Sequence, residues 1–434
     1  MKVNYDVILI GSGIIGCCIA FELSKKGYKT LNIDKEATAG AGSTANSCGN
    51  VRFYYSTRDG VALAYESARH WHNWREYLET EDERGLAEFH NTGSVFVKSD
   101  VVDWPLVKSN FDQVGVKYED WDLNKLQEMV PVGDFHSFSP PKRPDDPHFF
   151  DMPSKWLEGA CYTPESGYVG DPLLATQNVE AAAKAKGARF LYNRRVVGIR
   201  HSKNRIEGVT LVDGLRIDSA IVINVSGPHS FLVTEMAGQS QNNNIKTKAL
   251  RHEVHVVPPP PGYRPEEAGF HTNDADIGAY YRPETGNMIL TGSVDPPCDP
   301  QEWVDPDKFN RQVTSDQWKA QVYRLARRIP DLPIPSKPKG IVDLYDVSDD
   351  WLPIYDKSDL KGYYQAIGTS GNQFKTAPVV GALMAELIDR VEKGFNHDAH
   401  PLLYQLPRIG ITIDTSVFHR KRQINPNSTF SVIG

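Results

Sequence analysis

The sequence predicts an α/β fold whose first unit is a doubly wound parallel sheet, and three observations predict it. Asp6 to Ile10 is a continuous apolar run of strand length, as expected of a strand covered on both faces. Gly11-Ser12-Gly13-Ile14-Ile15-Gly16 follows at once and opens a helical run through Lys26. Gly27 then stops the helix, Tyr28 to Ile33 makes a second strand, and Asp34 stands at its end, 18 positions after Gly16.

Each element has a physical reason. Gly11 makes the tight turn, Gly13 lets backbone N–H groups approach a pyrophosphate, and Gly16 lets the helix pack close to the strand. The helix N-terminus, with Ser12, Ile14 and Ile15 in the same turn, stabilises phosphate charge. Asp34, followed by Lys35, is placed to accept hydrogen bonds from a ribose diol. The spacing therefore predicts a dinucleotide site, and by itself leaves open which dinucleotide.

The rest of the composition narrows the classes. At 434 residues the chain exceeds one ordinary domain, so two interlocked units are expected. A net charge of -7 is wrong for a protein that gathers phosphates of nucleic acid electrostatically. The longest apolar stretch, Val7 to Leu23, is broken by glycines, so no membrane span is expected. The opening MKVNYDVILIG moves straight into a strand without the pattern of a signal peptide. Five cysteines with no CxxC spacing argue against a disulfide framework or a metal site, and a cytoplasmic location is the expectation.

After Asp34 the chain runs an extended loop of small polar residues, Ala39 to Arg52, that includes Ser43, Thr44, Gly49 and Asn50 and suits a long cofactor lying along backbone. Near the far end, Gly368-Thr369-Ser370-Gly371-Asn372-Gln373-Phe374-Lys375-Thr376-Ala377-Pro378 precedes an apolar-periodic helix, with Pro378 suited to its first turn. A second glycine turn feeding a helix N-terminus matches the need of a flavin pyrimidine ring, whose O2 gains negative charge on reduction.

At these residues the chain resembles the D-amino-acid oxidase superfamily of FAD enzymes, in the branch of sarcosine oxidase and dimethylglycine dehydrogenase. The resemblance runs from about residue 4 to 395 through GSGIIG, GSTANSCGNVR, Gly167 to Pro172, Val196 to Ile199, Val222 to Pro228, Tyr280 to Pro283, and GTSGNQFKTAP. It implies a Rossmann-type FAD-binding domain with an interleaved α+β substrate domain built on an antiparallel sheet. The FAD domain is expected from 1–80, 150–230 and 340–400, the substrate domain from 81–149 and 231–339. Residues 401–434 are read as a solvated or subunit-contacting extension.

Residue by residue, the resemblance implies that Val197 meets the adenine through its backbone and that Gly227 and Gly371 to Lys375 line the cofactor. It assigns Arg52 and Lys375 to the substrate carboxylate, as an alternative to Arg52 pairing with Asp59 or Glu66. Tyr281 corresponds to an active-site tyrosine, although a one-residue slip exchanges it with Tyr280. Arg251 and Arg282 serve either the site or ion pairs, and His271 reads as a surface histidine in a loop. Asn46 and Asp343 stand where relatives carry the groups bonded covalently to flavin, so noncovalent FAD is expected. Leu290 replaces a lysine that promotes oxygen reduction.

The implied activity is oxidation of the C–N bond of a small secondary or tertiary amino acid (sarcosine, N-methyl amino acid or iminodiacetate type) by hydride transfer to FAD, followed by imine hydrolysis. Electrons would pass to oxygen or a carrier. Two other readings stay open: oxidation of a primary D-amino acid or 2-hydroxy acid, and a flavoprotein subunit of a larger electron-transfer complex.

Overall fold

The apolar run is β1 (Val7–Ile10), buried along its whole length, and the glycine turn leads into α1 (Ile14–Lys25) and β2 (Thr30–Ile33). Gly11 sits at φ +122°, where a Cβ would collide with the Val225 carbonyl oxygen, so only glycine makes this turn. A Cβ on Gly16 would lie 2.7 Å from the Gly11 carbonyl oxygen, which fixes how closely α1 can ride over β1. The structure is a computed structural model that describes residues 5–434; residues 1–4 of the opening segment lie outside the described residues.

Along the chain follow α2 (Arg58–His72), β3 (Ser94–Val97), β4 (Gly159–Thr163), α3 (Pro172–Ala185), β5 (Arg189–Leu191) and β6 (Ile221–Asn224). Thr57 caps α2 by accepting the Gly60 N–H, and Asp171 caps α3 by accepting that of Leu174. The second half supplies β7 (Thr247–Val257), β8 (His271–Asp274), β9 (Ala279–Glu284), β10 (Met288–Ser293) and α4 (Ser315–Arg328). It ends with β11 (Gly340–Ser348), β12 (Ile354–Lys357), β13 (Tyr363–Ile367), α5 (Ala377–Glu392) and the hairpin β14 (Leu403–Leu406) with β15 (Ile411–Asp414).

Two sheets organise these pieces. The dinucleotide sheet has the order β12-β13-β6-β1-β2-β5 and is parallel except for β12. The larger, nine-stranded sheet runs β7-β10-β9-β8-β3-β4, with further short strands at its edges and β11 paired to β7; it is antiparallel apart from the β8 and β3 pair. The α/β class and the interleaving follow the expectation. The crossing points do not: β4 and β11 belong to the large sheet, so the pieces expected from 150 and from 340 reach the dinucleotide unit only after those strands.

The main core lies where α1 packs between α5 and α3, around Cys17, Cys18, Phe21, Val380 and Leu383. Residues beyond 400 are not a solvated extension. The β14 and β15 hairpin rests on α2, and buried Arg420 pairs with Asp356 of β12 at 3.0 Å. Ser428, Ser431, Val432 and Ile433 are buried as well. An unpartnered arginine at such a site would be costly, so the Asp356 pair ties the extension to the sheet.

Close packing of α1 on α5 depends on Gly381, whose Cβ would lie 2.8 Å from backbone and side-chain atoms of Cys18. Gly381→Val is expected to lower stability by about 1 to 3 kcal/mol through overpacking, read as a lower urea midpoint. An unchanged midpoint would show that the two helices can separate without loss.

Candidate cofactor and substrate site

A cavity of about 500 Å³ runs from the first glycine turn to the second, between the dinucleotide sheet and the large sheet. At its nucleotide end the wall is Gly11, Ser12, Gly13, Ile14, Ile15 and Gly16. The Asp34 carboxylate is fixed there by two backbone donors, Ser12 N–H at 2.6 Å and Glu36 N–H at 2.9 Å, which leaves lone pairs for ribose hydroxyls. Burial pushes its carboxyl up. Lys35 reaches the wall but its ammonium contacts Asp307 at 3.2 Å, and Asp307 also meets His229 at 3.0 Å. Burial would raise the Asp307 carboxyl, but the bonds from Arg195, His229 and Lys35 hold it well below the usual range. Lys35 therefore ties the loop at Asp307 across the nucleotide end.

Gly227, after β6, lies on the wall. Val197 does not: it is 44% exposed, and its neighbour Val196 is buried against the cavity. Strand alternation sets this outward side chain, and the contact expected of Val197 was one through its backbone. In the long loop, Ser43, Thr44, Gly49 and Asn50 all face the cavity. Thr44 Oγ1 accepts the Ile14 N–H at 3.3 Å, and a Cβ on Gly13 would sit 3.1 Å from that oxygen, so the narrow gap stays open only for backbone. Ser43 Oγ and Asn46 Nδ2 donate to the two oxygens of Asp343, at 2.9 and 2.6 Å. Asn46 and Asp343, the two positions compared with covalent attachment points, are thus engaged with each other.

The second turn forms the other end, with Gly371, Asn372, Gln373, Phe374 and Lys375 on the wall. Gly371 has φ +70°, and a Cβ there would meet the Tyr345 ring at 2.5 Å. A residue that sequence reasoning missed holds this turn. Asp346, fully buried at the end of β11, accepts the Gly368 N–H and the Ser230 hydroxyl, both at 2.6 Å, and burial pushes its carboxyl up to about 7. Nothing local marks it, because its partners are 22 and 116 residues away.

Arg52 and Lys375 meet at this end, both almost wholly buried. The Lys375 ammonium donates to the Asn372 carbonyl at 2.6 Å and to the Tyr55 hydroxyl at 3.1 Å. Burial, and then the Arg52 charge, hold its pKa well below the usual lysine value. The Arg52 guanidinium donates to the carbonyls of Tyr54, Val432 (2.7 Å) and Ile433 (2.8 Å). Asp59 and Glu66 are engaged elsewhere, with Arg58 and with the Arg408 and Ile409 N–H groups. Among the described residues no Asp or Glu pairs with either cation.

The large sheet presents one face to this end. Alternation brings His252 and Val254 of β7, His271 and Asn273 of β8, and Tyr280 of β9 to the wall. Tyr281 points the other way, into the cluster with Trp318, Val322 and Leu325 of α4, so of these two tyrosines it is Tyr280 that meets the site, its hydroxyl 3.2 Å from Cys48 Sγ. His271 is a buried wall residue, not a surface histidine; burial and the Arg52, Lys375 and Arg282 charges keep it neutral. Arg251 pairs with Glu253 at 2.7 Å and Arg282 with Glu284 at 3.1 Å, the ion-pair role for both. Sequence reasoning also missed His252, whose Nε2 meets Asp295 at 2.9 Å and whose ring stacks on Tyr345. Burial would lower its pKa, but Asp295 raises it overall. No cluster suited to a metal ion occurs among the described residues.

A doubly wound sheet with a phosphate turn at one end of the cavity and a second helix N-terminus at the other defines a two-domain dinucleotide-dependent oxidoreductase. The chain belongs to the DAO family of FAD dependent oxidoreductases, which it matches over residues 6–387, and its cofactor is FAD. It is 24% identical over 416 residues to glycine oxidase of Geobacillus kaustophilus, covering 95% of this chain and 100% of that protein. It is 23% identical over 435 residues to sarcosine oxidase subunit beta of Rhodobacter capsulatus, covering 96% and 92%. Among solved structures, L-proline dehydrogenase from P. horikoshii superposes with a TM-score of 0.73 at 24% identity over 90% of this chain and 95% of that one.

The residues fit FAD on structural grounds. Ser12 Oγ and Asn372 Nδ2, at opposite ends of the cavity, are buried without a partner among the described residues, and an extended ligand bearing phosphate and flavin acceptors would satisfy them. Gly13→Val is expected to fill the gap beside Thr44 and give a folded, colourless protein. Acid precipitation of the native protein is expected to leave the yellow colour in the supernatant. Full FAD content in the variant, or flavin retained on the precipitate, would contradict the respective expectation.

Proposed function

We propose that this enzyme oxidises the C–N bond of a small secondary or tertiary amine that carries a carboxylate, of the sarcosine, N-methyl amino acid or iminodiacetate type. The observation that carries this reading is the buried pair Arg52 and Lys375 with no carboxylate partner among the described residues. Two like charges in a low-dielectric pocket repel, and an arriving carboxylate converts that repulsion into attraction. The names of the two sequence relatives, a glycine oxidase and a sarcosine oxidase subunit, support amino acids as the substrate class.

Lys375 makes the direct contact, because its ammonium has three donors and only two neutral partners. Arg52 adds positive potential while three carbonyls hold its guanidinium in place. When bound, FAD supplies a two-electron acceptor for the hydrogen beside the amine nitrogen. Arg52 and Lys375 also favour the neutral form of the substrate amine, whose lone pair the reaction needs, so no separate protein base is required. Neutral His271, hydrogen-bonded with Ser94 at 2.7 Å, and Tyr280 wall the pocket without adding charge. Water then hydrolyses the C=N bond to an aldehyde or oxo acid and a smaller amine.

Anaerobic bleaching of the flavin by an amine panel tests the reading, and the rate of colour return in air tests oxygen as acceptor. Lys375→Met is expected to lower kcat/KM for carboxylated amines by roughly 100-fold, since a charge-assisted contact in a desolvated site is lost. Acetate binding to the native protein, followed through the flavin absorbance, is expected to weaken as pH rises through the lowered Lys375 pKa, because only the ammonium attracts the anion. The variant loses that dependence. Native turnover of carboxylated amines by Lys375→Met would overturn the anchor.

A further inference from the structure

We infer that the segment Ser428 to Gly434 is the roof of the substrate pocket and that Val432 sets the size of the group accepted beside the substrate carboxylate, an inference that rests on the carboxylate anchor proposed above. The segment lies beyond residues 6–387, so the family match is silent about it. Val432 is on the cavity wall, together with Arg52, Asn372 and Lys375.

Contacts along the segment pin it to the walls of that pocket. Arg52 donates to the carbonyls of both Val432 and Ile433. The Ser56 N–H donates to the Gly434 carbonyl at 3.2 Å. Gly434 lies against the Tyr55 ring and Asn372, where a Cβ would be 2.6 and 3.3 Å away. Tyr55 and Asn372 are the same two residues that hold the Lys375 ammonium. The segment and the anchoring lysine thus share their supports.

The roof is part of the fold and not a loosely held strap. Ser431 Oγ accepts the Ile433 N–H at 3.2 Å, which fixes the turn, and Val432 and Ile433 are buried in the main core cluster. Arg52 is on this account a positioning residue: through the two carbonyls it sets the height of Val432 above a carboxylate held by Lys375. Val432 is the residue of this segment that lies on the cavity wall, so its side chain is the part of the roof placed to meet a substituent on the carbon next to that carboxylate.

The test uses carboxylates that are not oxidised, so that it is independent of amine chemistry. Acetate, propionate, butyrate and isovalerate are titrated into the holoprotein, with the flavin absorbance as readout. Val432→Ala is expected to favour isovalerate over acetate by about tenfold relative to the native protein, and Val432→Phe to disfavour it by a similar factor. FAD content should hold in both, and if Val432→Phe does not fold, Val432→Ala decides. A ratio that stays within about twofold in Val432→Ala, even with a lowered melting temperature, overturns the roof. If the ratio shifts while no amine bleaches the flavin, the oxidation reading fails and the roof stands. If amines bleach it and the ratio does not shift, the reverse holds.

Discussion

The site depends on one electrostatic constraint: two cations, Arg52 and Lys375, are buried at the same end of one cavity without a protein carboxylate among the described residues. Protein interiors tolerate this only when neutral acceptors solvate the charges and a ligand supplies the missing anion. The first condition is built in, and on the proposed reading the substrate carboxylate meets the second. Five carbonyl and hydroxyl contacts from Tyr54, Tyr55, Asn372, Val432 and Ile433 surround the two groups. The two carboxylates closest to Arg52 in the sequence are turned aside, Asp59 to Arg58 and Glu66 to the Arg408 and Ile409 N–H groups.

Holding that arrangement needs both domains at once, and β11 is the element that joins them. Its register with β7 places it in the large sheet, while its last residues carry Asp346 into the turn of the dinucleotide unit. Tyr345 supplies the surface on which Gly371 rests, and Asp343 ties down the loop at Ser43 and Asn46. Three successive tasks along one strand explain why the domains interleave instead of meeting as separate bodies. They also explain why the segment expected to join the dinucleotide unit at 340 begins with a strand of the large sheet.

What was legible in the sequence is what local geometry dictates. The turn at Gly11 to Gly16, the acidic residue at Asp34, and the turn at Gly371 to Lys375 each arise within a few residues of a strand or helix end, so spacing alone locates them. The large sheet was harder to read. His271-Thr272-Asn273-Asp274 has little strand propensity, and it is held by pairing with β3, 177 positions away, and with β9 across a tight turn. Parity was undetermined for the same reason: with both faces of β9 buried, Tyr280 and Tyr281 look alike, and only the neighbouring strands decide which one meets the cavity.

The segment beyond 400 was illegible for a further reason, which bears on specificity. Its carbonyls, not its side chains, engage Arg52, and a backbone acceptor leaves no mark in a sequence. An arginine that matches the family pattern by position can therefore be carried into a different role by a distant stretch of chain. Arg52 keeps its charge in the pocket, which preserves anion attraction, but its fork is largely taken up by the roof. On the proposed reading the consequence is a division of labour: family residues supply the cofactor site and the anchoring charge, and the chain outside the family match shapes the space into which the substrate fits.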